Sequence, residues 1–237
     1  ECSNRNRKLM AKVMVKGEAN ITSTSITTDG NLLAVSTIRE IKIFRLKSLG
    51  SQNDDALRIS KLDVSLRLST GGGRFLQFSP DGKWLCIVRR DNQVCVARVH
   101  KYSHNSVRML PTLTELERLD RKIEKRALLG GLGAYNRIVS RVTFSYDSRI
   151  LAVSDLAGYI DTWVLEGHED FSETADDDIT GENASPPSSS DNLDDDDEEW
   201  GKHVIIYGQH WMRNPMAASI PKLPTMPVVL AFRPAPG

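Results

Sequence analysis

Three stretches of this chain carry one pattern, and a repeat of this kind constrains the fold more than any composition does. Residues 21–46 read ITSTSITTDGNLLAVSTIREIKIFRL, residues 74–99 read RFLQFSPDGKWLCIVRRDNQVCVARV, and residues 139–165 read VSRVTFSYDSRILAVSDLAGYIDTWVL. A fourth copy starts at Val228 with VVLAFRP. Each full copy reads as strand, turn, strand, turn, strand. The first strand alternates apolar and polar residues, as in Val142, Thr143 and Phe144. The turn after it is Thr28-Asp29-Gly30, Pro80-Asp81-Gly82 or Tyr146-Asp147-Ser148. Pro presets φ there, Asp bonds its own backbone, and Gly accepts positive φ.

The middle strand is a short apolar run, residues 32–35, 84–88 and 150–153. Such a run bounded by turns suits a strand buried on both faces. A second turn follows, Asp91-Asn92 or residues 155–158, and the third strand alternates again, as in Ile160, Thr162 and Val164. No copy places apolar residues three and four apart for long enough to make a helix. The pattern is that of a four-stranded propeller blade; an unrelated antiparallel sandwich is the other architecture it could serve. Outer strands are expected at residues 12–16, 62–68 and 203–207.

The phrase FSPDG at residues 78–82, and Asp155 placed three residues before Gly158, resemble the WD40 family. The Trp-Asp dipeptide of that family is absent: its place holds Phe44-Arg45, Ala97-Arg98 and Trp163-Val164. The resemblance implies an all-β fold, a partial WD40-type β-propeller of about three blades and the start of a fourth, carrying one helical and one acidic disordered insertion. The blades are expected near residues 21–68, 74–110 and 139–207, with the next starting at 227–237. Three blades cannot close a ring of about four to eight. The expectation is therefore a piece of a longer propeller spanning residues 1–237, in keeping with a chain that opens at Glu1 and not at Met.

Composition narrows the class. The chain is 40% hydrophobic, yet its longest apolar runs are a handful of residues, far short of the roughly 20 that cross a bilayer. No cleavable leader pattern is visible. Cys2, Cys86 and Cys95 form no CxxC pair, so free thiols in a reducing, intracellular setting are expected. The net charge is zero, with 31 basic and 31 acidic side chains. Fourteen of the acids fall between Glu169 and Glu199, where there is no Lys or Arg, leaving 17 acids against 31 bases elsewhere. A basic body with one acidic loop attracts polyanions, and the acidic tract can compete for the same surface.

Two insertions stand out. The first, residues 111–131, reads as helical from about Leu113 to Leu129. Thr112 with Glu115, and Thr114 with Glu117, make capping boxes, and Gly130-Gly131 supplies a stop. On a helix, Leu113, Leu116, Leu119, Ile123 and Ala127 would share one stripe, with Arg118, Arg121, Lys122, Lys125 and Arg126 gathered opposite. A docked helix with a solvated charged back is one reading. The sharper one makes these five cations the contact for RNA or an acidic partner, which would relieve their i,i+4 repulsion of roughly 0.2–0.5 kcal/mol per pair. The second insertion, residues 168–200, is almost free of apolar residues and is expected to be disordered. Ser188, Ser189 and Ser190 precede acid and are candidate phosphorylation sites. The acid run lacks the ligand spacing of an EF-hand.

Catalytic signatures are missing. Gly71-Gly72-Gly73 and Gly130-Gly131 lack P-loop and dinucleotide spacing. His100 and His104 sit four apart without a further ligand nearby. Cys86 and Cys95 lie in expected blade strands, buried and inert. No enzyme activity, cofactor, metal, membrane or small-molecule substrate is therefore expected. A propeller hydrolase would need convergent acids or a metal at a central channel.

The divergent blade VKGEANITSTSITTDGNLLAVSTIREIKIFRL at residues 15–46, the stretch IDTWVLEG at 160–167, and the order of the insertions resemble the nucleolar WD40 scaffolds of the small-subunit processome. That resemblance implies a role in ribosome biogenesis and small-subunit rRNA processing. The site of action would be the nucleus and nucleolus, assembling on the 5′ external transcribed spacer of pre-rRNA. The implied partners are other WD40 and helical-repeat processome proteins, with pre-rRNA contacted directly or through the complex. A protein-protein adaptor in a ubiquitin-ligase or vesicle-coat complex, without RNA, is the alternative.

Overall fold

The structure, a computed structural model, describes residues 11–48, 57–103, 106–121, 137–170 and 204–233. Their strands form three four-stranded antiparallel sheets, each a meander in chain order. The first holds β1 (Ile21–Ile26), β2 (Leu32–Thr37), β3 (Ile41–Ser48) and β4 (Leu57–Leu62). A four-residue helix α1 (Leu66–Ser69) leads to β5 (Phe75–Phe78), β6 (Trp84–Val88), β7 (Val94–Ser103) and β8 (Ser106–Leu116). The third sheet holds β9 (Val139–Phe144), β10 (Ile150–Asp155), β11 (Ile160–Gly167) and β12 (Gln209–Arg213), and a 3-10 turn follows at Pro215–Ser219.

The middle sheet explains the stacking. Every residue of β6 is buried, and successive side chains of a strand point to opposite faces. Leu85 and Ile87 therefore join Leu32, Ala34 and Ile43 in a core against the first sheet. Trp84, Cys86 and Val88 join Leu151, Val153 and Trp163 in a core against the third. Cys95 and Ala97 of β7 face the first core, while Val94 and Val96 face the second. The indoles of Trp84 and Trp211 meet edge to face, 5.6 Å apart. These are three blades of a β-propeller, stacked face to face around parallel inner strands.

The inner strands are joined by side chains. Ser23 Oγ accepts from Leu76 N and Ser25 Oγ from Phe78 N, both at 2.9 Å, and Thr22 Oγ1 donates to Gly73 O at 2.6 Å. The alternating hydroxyls of β1 are thus the polar seam between two blades. At one end, each first turn repeats a single device. Thr27 Oγ1 donates to Asp29 Oδ1, which also accepts from Asn31 N, and the hydroxyl takes Leu32 N–H at 3.0 Å. Ser79, Asp81 and Trp84 repeat it, as do Ser145, Asp147 and Ile150.

At the other end, the end of the second strand or the turn after it touches the segment that follows the blade. Ser36 Oγ accepts from Gly73 N, Asn92 Oδ1 from Val139 N, and Gly158 O from Leu223 N.

Several expectations are corrected. The helix expected from Leu113 does not form over its first turn: residues 113–116 belong to β8, paired Ala97↔Leu113 through Val94↔Leu116. The long apolar β7 needs an edge partner, and pairing with it outweighs two capping boxes that serve only a local helix. Pro111 is tolerated because β8 is an edge strand. Residues 117–121 have no regular structure, and 122–136 lie outside the described residues. Outer strands lie at Leu57–Leu62, Ser106–Leu116 and Gln209–Arg213, displaced from 62–68 and 203–207, and residues 12–16 form no strand. Residues 228–233 are not a strand either, although Arg141 of β9 donates to Val228 O at 2.7 Å. Of the acidic insertion, 171–200 lie outside the described residues.

Candidate functional site

The sequence places its candidate cations on one helical face; the structure turns the first two inward instead. Arg118 follows β8 and lies between two buried carboxylates. Its Nη2 meets Asp155 Oδ2 at 2.9 Å and its Nε meets Asp161 Oδ2 at 2.8 Å, while its Nη1 donates to Arg137 O. Asp155 has no exposed side-chain surface and Asp161 only 3%. Arg137 reaches the same two carboxylates at 3.3 and 3.4 Å, and Arg121 approaches Asp161 at 3.8 Å. Lys122, Lys125 and Arg126 lie outside the described residues.

The chain builds this cluster from three segments. Asp155 is fixed by the turn between β10 and β11, where its Oδ1 accepts from Tyr159 N at 2.9 Å. Asp161 is fixed by strand alternation on β11. Arg118 and Arg137 flank the connection between β8 and β9 and are held together by their own backbone: Arg137 Nη2 donates to Leu119 O. Trp163 of β11 donates to Glu117 O and pins the same connection.

Among the described residues, charge is not balanced here. Three guanidiniums share two carboxylates, and a fourth cation, exposed Lys222, stands 5.1 Å from the Tyr159 ring. Arg121 and Arg137 lie over the same ring at 4.9 and 5.5 Å, so the ring's negative face holds cations that would otherwise separate. Burial, reinforced by the Arg118 charge, pulls the Arg137 guanidinium below its ordinary value. Buried Arg121 Nε and Arg137 Nη1 have no hydrogen-bond partner among the described residues. Buried Asp161 Oδ1 is likewise without a hydrogen-bond partner, so the chemistry this cluster offers an oxyanion is its surplus positive charge and the exposed Lys222 ammonium. Arg137, Tyr159 and Lys222 were not singled out by the sequence reading; only folding brings positions 121, 137, 159 and 222 together.

A second cluster lies at the opposite end of the blades. Arg98 of β7 is 1% exposed, lies 4.8 Å above the Trp84 ring and pairs with Glu169, which also pairs with Lys83. His100 packs against Tyr102 and Tyr207, with centroids 4.0 and 4.9 Å away. Asp170 N donates to Tyr207 O at 3.0 Å. The two ends of the acidic insertion therefore meet beside Arg98. Cys86 and Cys95 are free and buried; burial raises both thiols, that of Cys95 to about 11. Among the described residues, no group of three or more His, Cys, Asp or Glu side chains is placed to hold a metal ion.

Comparison with known proteins gives one distant relative of note. U3 small nucleolar RNA-associated protein 4 of Schizosaccharomyces pombe is 24% identical over 153 residues, 65% of this chain but 20% of that protein. The chain thus spans about a fifth of the length of the curated relative it matches. No protein-family model matches. Among solved structures, Sqt1 from Chaetomium thermophilum is similar at 14% identity and a TM-score of 0.43, over 64% of this chain and 32% of that one. The Cps50 (Swd1) β-propeller domain of Myceliophthora thermophila follows at 14% and 0.36, over 62% and 40%. A 6-phosphogluconolactonase-like protein of Bacteroides uniformis stands at 15% and 0.37, over 63% and 38%.

Proposed function

We propose that this chain is part of a non-enzymatic WD40-type scaffold in ribosome biogenesis. The protein assembles with other WD40 and helical-repeat processome proteins on the 5′ external transcribed spacer of pre-rRNA, in the nucleolus, for small-subunit rRNA processing. One observation carries this reading: the 153-residue similarity to U3 small nucleolar RNA-associated protein 4.

The test is affinity purification of the full-length protein from nuclear extract, identifying both co-purifying RNA and proteins. Enrichment of pre-rRNA with processome scaffolds is the expected result. Recovery of ubiquitin-ligase or vesicle-coat subunits without precursor RNA would overturn the reading and put the adaptor alternative in its place.

A further inference from the structure

We infer that the blade end bearing the β2–β3, β6–β7 and β10–β11 turns is a direct contact for the phosphodiester backbone of RNA. The inference rests on the processome reading and adds to it a surface and named residues. A cation stands at this end of each described blade. Arg39 is exposed on the β2–β3 turn, Arg90 is exposed on the β6–β7 turn, and Lys222 is exposed beside the β10–β11 turn. Among the described residues, the side chains of Arg39 and Arg90 spend no hydrogen bond or ion pair, and Lys222 meets only the Tyr159 ring.

The three positions share an end because the inner strands run parallel from blade to blade and every blade is a meander. Arg39 and Arg90 therefore occupy equivalent turns, while the third blade's turn, Leu156-Ala157-Gly158, carries no cation and is met by Lys222 from the following segment beside the Arg121–Arg137–Tyr159 cluster. A row of separated charges fits a polyanion, which offers a phosphate at each nucleotide, better than a single phosphorylated side chain, which would satisfy one step and leave the others. The acids at this end are partly committed: Glu40 pairs with Lys42 at 2.6 Å and Glu115 with Arg67 at 3.3 Å, while exposed Asp91 accepts from Gln93 N at 3.0 Å and keeps its charge beside Arg90. Asp155 and Asp161 are buried under the arginines, leaving exposed Asp120 as the acid nearest to Arg121.

The roles differ by burial. Arg118 and most of Arg137 serve the fold by neutralising Asp155 and Asp161. Arg39, Arg90 and Lys222 serve the ligand. Arg121 also leans on the fold, its Nη2 on Asp161 and Ala217 O and its Nε buried.

The experiment uses the full-length protein and a mixed-sequence single-stranded RNA, with anisotropy measured across a salt series. Arg90→Glu with Lys222→Glu changes two exposed side chains outside the cores. Lys61→Glu, exposed on the outer strand β4 opposite Phe44, is the comparison charge reversal away from the turns. The expected result is an affinity loss of about tenfold or more in the double variant, with a log–log salt slope shallower by roughly 1.4, the value for two lost single-strand phosphate contacts. Lys61→Glu keeps the parent slope, and thermal melts of all three proteins coincide. An unchanged slope in the double variant, or an equal loss in Lys61→Glu, overturns the inference. So does a singly phosphorylated peptide that displaces the RNA as efficiently as unlabelled RNA does. If the parent protein co-purifies pre-rRNA while the double variant binds RNA normally, the surface is wrong and the processome reading stands. If the slope falls as expected but no processome component co-purifies, the surface stands and that reading fails.

Discussion

Arg98 finds its counter-charge in Glu169, two positions past β11 of the neighbouring blade and 71 positions away. Arg98 has 2% of its side chain exposed and Glu169 18%, so the pair ties two blades across their packed faces. Removing one partner of a buried pair leaves the other charged and dry, at a cost of about 3–5 kcal/mol. Glu169→Ala is expected to destabilise the protein by that amount in urea unfolding. Adding Arg98→Met to it should recover much of the loss, because methionine can fill the space over Trp84 without a charge. A double variant as unstable as Glu169→Ala would show that the pair is not what the substitution breaks.

His100 predicts a pH dependence. Its burial, with the nearby Arg98 and Arg108 charges, lowers its pKa from 6.5, while Glu169 acts the other way. The folded state therefore prefers neutral His100. The stability this confers is complete above about pH 6.5 and is lost as the pH falls below it through the lowered value. Melting temperatures measured at pH 7.5 and 5.5 should differ less in His100→Phe than in the parent; equal differences would remove His100 as the cause.

Two glycines with similar backbones should respond very differently to a methyl group. Gly30 has φ of 71° and open space around its missing Cβ, whereas Gly72 has φ of 57° and a Cβ would stand 1.9 Å from Thr37 O. Gly30→Ala bears only the left-handed penalty, about 1–2 kcal/mol. Gly72→Ala must in addition push apart the contact between the first blade's turn and the connection entering the second. Its loss is expected to be at least twice that of Gly30→Ala in the same urea titration.

Residues 171–203 are expected to be dispensable for folding. Asp170 N and Tyr207 O meet at 3.0 Å, and a Cβ on Gly167 would stand 2.0 Å from Gly208 O, so the chain closes on itself at residues 167–170 and 207–208. Replacing residues 171–203 with a short Gly-Ser linker should leave the melting temperature nearly unchanged, since loop length enters closure entropy only logarithmically. The same variant should bind RNA more tightly if the 171–200 acids compete for the basic end. A large loss of stability would show that the insertion packs on the blades.

The blades were readable because their signals are local and repeated. Alternation in β9 and the unbroken apolar run of β6 follow from which faces are covered, and the Thr27-Asp29, Ser79-Asp81 and Ser145-Asp147 turns are closed by bonds spanning five residues or fewer. The outer strands were misplaced because an edge strand has one partner and weak alternation of its own. Leu57–Leu62 is set by the length of β3, and Ser106–Leu116 by that of β7.

By itself, then, the sequence determined the repeat, the antiparallel meander, the inward runs that make two cores, and the segregation of acid into one insertion. Tertiary structure alone decided that residues 113–116 are strand rather than helix, because pairing with β7 is a long-range interaction that no capping box registers. It also decided which cations remain available. Arg118 and Arg121 look like a solvent-facing row in one dimension, but Asp155 and Asp161, some 40 positions later, sit beneath them once β10 and β11 are folded. Burying those two carboxylates demands nearby positive charge, and that demand exists only when the blade has closed.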